Sequence, residues 1–73
     1  MQLHAHQTII VLVNGETVET RSATLAELIA ERGFPEAAVA TALNGEFVPR
    51  GARTATRLAA DDRIEIVAPR QGG

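Results

Sequence analysis

Apolar residues along this 73-residue chain form a solid run, a short alternation, a helical stripe and a second alternation, in that order. Residues 9–13 are a continuous aliphatic run rich in β-branched side chains, and the run stops at Asn14-Gly15. Beyond it Thr17, Val18, Glu19 and Thr20 alternate. An Asn-Gly pair between two such stretches predicts a hairpin, because a type I′ turn needs positive φ at both central residues. From Thr24 the period changes. Leu25, Leu28 and Ile29 share one helical face at i, i+3 and i+4, and Thr24 and Glu27 have the spacing of a capping box. A short helix over residues 25–32 follows. Gly33 is expected at C′ in the left-handed conformation, with Phe34 at C″ against Ile29 and Pro35 preventing continuation.

Residues 36–43 carry both signals: their alanines favour helix, while Val39, Thr41 and Leu43 alternate as a strand does. A second Asn-Gly pair, Asn44-Gly45, with Glu46, Phe47 and Val48 beyond it, decides for a strand over residues 39–43 and a second hairpin. Pro49 ends the pairing. Residues 51–60 are expected to be irregular, with a short turn of helix at most, and Asp61-Asp62 turns the chain. Ile64 and Ile66 then alternate with Arg63 and Glu65 in a half-buried last strand. The expected class is α+β, a ββαββ order with a mixed sheet of four to five strands packed on one helix. Residues 1–8 read as an extension, 9–67 as the domain and 68–73 as a flexible tail. The two hairpins echo one another, and the same turn demanding the same residues accounts for that.

Size limits the chemistry. A core of this size leaves only a few kcal/mol of net stability, about 5 or so, and little of it can be given to a buried polar catalytic cluster. The expectation is therefore a non-enzyme. Cysteine is absent, so disulfides and a reactive thiol are excluded. No apolar run approaches a membrane helix and the first residues lack a signal peptide's regions, which makes the cytoplasm the expected location and excludes a membrane partner. Net charge is −2, with seven arginines, no lysine and two phenylalanines. Nucleic-acid binding, which needs a basic face with stacking aromatics, is not expected. Arg50, Arg53, Arg57 and Arg70 either form a solvated rim or meet an acidic partner surface. His4 and His6 share a face in an extended stretch but have no third ligand, so no metal site is expected.

The candidate chemistry lies at Gly72-Gly73. A glycine pair has no Cβ and threads a channel too narrow for side chains. Residues 68–73, at about 3.3–3.6 Å each, extend to roughly 20 Å. A carboxylate on Gly73 then reaches another protein's active site while the domain stays outside. For the docking surface, the apolar run at 9–13 together with Phe47 and Val48 exceeds what one helix covers, so one sheet face is a candidate docking patch. Phe47 either packs under the irregular segment or contacts a partner.

The stretch Leu43-Asn44-Gly45-Glu46-Phe47-Val48-Pro49-Arg50, the last strand Asp62-Arg63-Ile64-Glu65-Ile66-Val67 and the Gly72-Gly73 end resemble the ThiS family of ubiquitin-like β-grasp sulfur carriers in thiamine biosynthesis. The resemblance covers residues 9–73. It implies that the Gly73 carboxylate is adenylated with ATP by an E1-like activating enzyme of the ThiF or MoeB type, with Gly72 as clearance beside it. It further implies conversion to a thiocarboxylate, with sulfur from a cysteine desulfurase or rhodanese type of donor, and delivery to thiazole synthase. On this reading no cofactor is bound, because ATP is consumed by the partner. Partner docking is expected of Phe47, Val48 and Arg70. The sequence departs from the family pattern at Arg53, where members often carry Trp, and at Ala60-Asp61-Asp62, where an Asp-Gly-Asp turn is usual. Alternatives are a molybdopterin-synthase small subunit or other sulfur carrier, a ubiquitin-like protein modifier, and an interaction module whose tail is inert.

Overall fold

Asn14 and Asn44 adopt φ of 53° and 50°, and the glycine after each has φ of 83° and 88°, so both expected hairpins form. The structure is a computed structural model that describes residues 7–68. β1 (Ile9–Val13) pairs antiparallel with β2 (Glu16–Thr20), and β3 (Ala40–Leu43) pairs antiparallel with β4 (Glu46–Val48). β5 (Arg63–Val67) lies between the hairpins, parallel to β1 and antiparallel to β3. The sheet order is β2-β1-β5-β3-β4, a five-stranded mixed sheet of the ubiquitin-like β-grasp kind.

Strand side chains alternate between faces, and one face takes the helix. Val11, Val13, Val18, Val48, Ile64 and Ile66 from that face form one core with Leu25, Leu28 and Ile29 of α1 (Leu25–Glu31). The helix ends as its sequence demands. Thr24 Oγ1 accepts from the Glu27 N–H at 3.2 Å, while the Glu27 carboxylate accepts from the Ala23 N–H at 2.7 Å, one residue ahead of the cap. At the other end the Phe34 N–H donates to Ile29 O at 3.1 Å and the Gly33 N–H to Ala30 O at 3.0 Å, the paired bonds of a Schellman stop, with Gly33 at φ 81°.

The ambiguous segment is divided, and the short turn of helix expected within residues 51–60 is present. Within residues 36–43 a 3₁₀ turn occupies Glu36–Ala38 and β3 begins at Ala40, so the mixed signal is resolved by dividing the segment. A 3₁₀ stretch also spans Arg50–Ala55, and it turns Arg53 inward. Arg53 is 2% exposed and belongs neither to a solvated rim nor to a partner surface. Its Nη1 donates to Glu36 O at 2.8 Å and its Nη2 to Val39 O at 2.7 Å, so the guanidinium ties the Glu36–Ala38 turn to the rest of the domain. The carbonyls at the end of a short turn lack partners within it, and a planar fork of donors supplies them.

Candidate functional site

β5 carries the chain toward the residues singled out for chemistry. Gly72, Gly73 and Arg70 lie outside the described residues, and so do His4 and His6. The described part of the site is therefore the end of β5, its neighbours, and the sheet face away from the helix.

The end of β5 is held from both sides. Toward β3 it is paired through Val67, opposite Ala40. Toward β1 the backbone pairs are Leu12 with Arg63 and Val13 with Ile64, after which β1 turns away at Asn14. The ladder nevertheless continues. The Asn14 backbone N–H donates to Ile64 O at 2.9 Å, and the Asn14 carboxamide then takes the next step, Oδ1 accepting from the Ile66 N–H at 2.9 Å and Nδ2 donating to Ile66 O at 3.1 Å. Asn44 performs the matching task at the start of the strand. Its Oδ1 accepts from the Arg63 N–H at 2.8 Å, and its backbone N–H donates to Arg63 O at 2.7 Å. Sequence reasoning explained both asparagines by turn geometry alone and did not anticipate their side chains as grips on β5.

Alternation places Ala40, Ala42, Phe47, Arg63, Glu65 and Val67 on the face opposite the helix. Cross-strand pairing sets Phe47 beside Ala42, and Ala42 beside Glu65, while Ala40 faces Val67 one step along. Phe47 is 69% exposed and Val67 60% exposed, and Ala42 and Ala40 between them make an apolar strip, bordered by Glu65, from the edge strand to the end of β5. Phe47 is thus presented to solvent instead of packing beneath residues 51–60. Val48 is not: at 8% exposure it points into the core next to the helix, because adjacent strand residues face opposite ways. Of the three residues expected to dock a partner, Phe47 is exposed, Val48 is buried and Arg70 lies outside the described residues. Of the basic residues, Arg50 lies near Glu36 at 3.7 Å with both side chains largely exposed.

Arg57 lies elsewhere. It lines a shallow pocket of about 200 Å³ with Arg21, Ser22, Ile9 and Leu58, at the end of β1 remote from Asn14. No helix among the described residues is long and apolar enough to cross a membrane.

Comparison with known proteins agrees with this arrangement. The model of the ThiS family matches residues 11–73. A crystal structure of the thiamine biosynthesis protein ThiS from Geobacter metallireducens is 29% identical, with a TM-score of 0.74, covering 89% of this chain and 100% of the other. The solution structure of a thiamine biosynthesis protein from the same organism is also 29% identical, with a TM-score of 0.73, covering 89% of this chain and 88% of the other. No curated protein sequence matches significantly.

Proposed function

The chain belongs to the ThiS family, and from that membership we propose that it is a sulfur carrier of thiamine biosynthesis whose Gly73 carboxylate is activated and then converted to a thiocarboxylate. The observation that carries this reading is the family match, which runs through Gly73. A carboxylate is a poor electrophile, so a carboxylate oxygen first attacks the α-phosphorus of ATP and releases pyrophosphate. The terminal sulfur of a donor protein's cysteine persulfide then attacks the acyl carbon and AMP leaves; a thiol of the partner machinery attacks the donor sulfur of the resulting acyl disulfide, forming a disulfide with the donor and releasing the Gly73 thiocarboxylate. Thiazole synthase consumes it. The catalytic groups for these steps belong to the partners, and this chain is their co-substrate.

The activating enzyme must hold the domain and the carboxylate together. The apolar strip serves the first need: Phe47 supplies a large exposed aromatic, the kind of side chain that dominates interface energetics, and the strip leads to Val67 where the tail begins. Arg70 is proposed to add a charged contact along the tail. Val48, buried in the core, does not meet the partner.

Incubation with ATP, an activating enzyme of the ThiF type and a sulfur source tests the reading. The intact mass is expected to rise by one oxygen-to-sulfur exchange, and a chain lacking Gly73 is expected to gain nothing. An unchanged mass with an enzyme shown to be active on another carrier overturns the proposal.

A further inference from the structure

We infer that Asn14 is a positioning residue for the chemistry at Gly73, an inference that rests on the sulfur-carrier reading: its carboxamide fixes the place where the tail leaves the sheet. Three alternate residues of the segment 62–66, which contains most of β5, face β1. Asp62 O accepts from the Leu12 N–H at 2.9 Å and Ile64 O from the Asn14 N–H at 2.9 Å. The third step, Ile66, comes after β1 has turned away, and both its backbone groups are met by one side chain 52 positions distant in sequence. Asn14 thus acts as an extra strand residue at the last point where β5 can be gripped on that side. Among the described residues Ile66 is followed by Val67, which is held by β3, and by Ala68.

The turn does not require this bond. Positive φ at position 14 is met equally well by glycine, and a Gly-Gly pair is a good type I′ turn. The selection of a carboxamide is thereby explained by its grip on β5 as well as by the turn. The neighbouring case supplies an internal control. Asn44 occupies the same place in the same kind of turn, but it grips the beginning of β5 at Arg63, remote from the tail.

The consequence for chemistry is one of tethering. With the domain docked on an enzyme, the concentration of carboxylate at the active site is set by the anchor point and length of the connecting chain. Releasing Ile66 leaves the end of β5 held on one side only, by β3 at Thr41 and Ala40, and so loosens the anchor of the connecting chain. The loss is expected in turnover by the bound complex.

The test compares Asn14→Gly with Asn44→Gly. Both keep their turns and both lose side-chain hydrogen bonds to β5. Amide hydrogen exchange at Ile66 and Val67 is expected to rise in Asn14→Gly and to stay near wild type in Asn44→Gly. Single-turnover adenylation, measured with saturating ThiF-type enzyme and ATP, is expected to fall about threefold to tenfold in Asn14→Gly, the factor a net hydrogen bond carries. In Asn44→Gly it is expected to remain close to wild type at matched thermal stability. Equal rates in the two variants, or unchanged exchange at Ile66 in Asn14→Gly, overturn the inference while leaving the carrier reading intact. A wild-type chain that is not adenylated overturns the carrier reading itself, and the inference with it, whatever the exchange at Ile66 shows.

Discussion

Arg53 donates from Nε to Thr41 Oγ1 at 3.1 Å, inside a core where both residues are 2% exposed. Thr41 passes the interaction on, since its hydroxyl donates to Val48 O at 2.9 Å. Among the described residues no carboxylate lies within ion-pair distance of Arg53, and its charge is met only by the dipoles of the Thr41 hydroxyl and the Glu36 and Val39 carbonyls. Truncation leaves buried acceptors without donors. Arg53→Ala is therefore expected to cost about 2–4 kcal/mol, a fall in melting midpoint on the order of 10–20 °C by circular dichroism. Arg53→Lys is expected to recover less than half of the loss, because an ammonium cannot reproduce the planar fork.

Phe47 and Val48 are adjacent in sequence and opposite in consequence. Phe47→Asp is expected to leave the melting midpoint nearly unchanged while raising the Kd for an activating enzyme about tenfold or more, as removal of an aromatic interface anchor does. Val48→Ala is expected to cost about 1–2 kcal/mol of stability with little effect on Kd under conditions where the domain is folded. Titration calorimetry beside thermal unfolding separates the two.

Gly33 and Gly51 both have open space where a Cβ would sit, but only Gly33 has positive φ. Gly33→Ala is expected to destabilise by about 1 kcal/mol through left-handed strain alone. Gly51→Ala, with no such strain, is expected to stabilise by about 0.4–1 kcal/mol by restricting the unfolded chain. Chemical denaturation with a common m-value checks both.

At the start of α1 the Thr24 hydroxyl accepts from the Glu27 N–H, and Thr24→Ala is expected to cost about 1 kcal/mol, measured in the same way. Thr24→Ser keeps the acceptor and is expected to keep most of the stability.

Local signals in this sequence were legible because their causes are local. Both Asn-Gly turns, the Schellman stop at Gly33 and Phe34, and the alternation of Ile64 and Ile66 all follow from conformational preferences of a few consecutive residues. Face assignment was less so: the sequence placed Phe47 and Val48 together on a docking surface, whereas a strand must send one of them inward. The inward turn of Arg53 was hidden for a different reason. Arginine ordinarily remains in water, and only the tertiary arrangement of Glu36, Val39 and Thr41 creates enough acceptors to bury it. The grips by Asn14 and Asn44 were concealed because turn geometry already accounted for an asparagine at each site. Of the residues singled out for chemistry, Gly72, Gly73 and Arg70 lie outside the described residues.

β5 is central in space and follows the other four strands in sequence. A nascent chain can close each hairpin as it leaves the ribosome, yet the two cannot join until the segment that lies between them has emerged. Both hairpins then expose an unpaired inner edge, and the parallel contact between β1 and β5 is a long-range closure of the kind that slows folding. Assembly of the sheet is consequently deferred until β5, the strand that joins the two hairpins, has itself emerged.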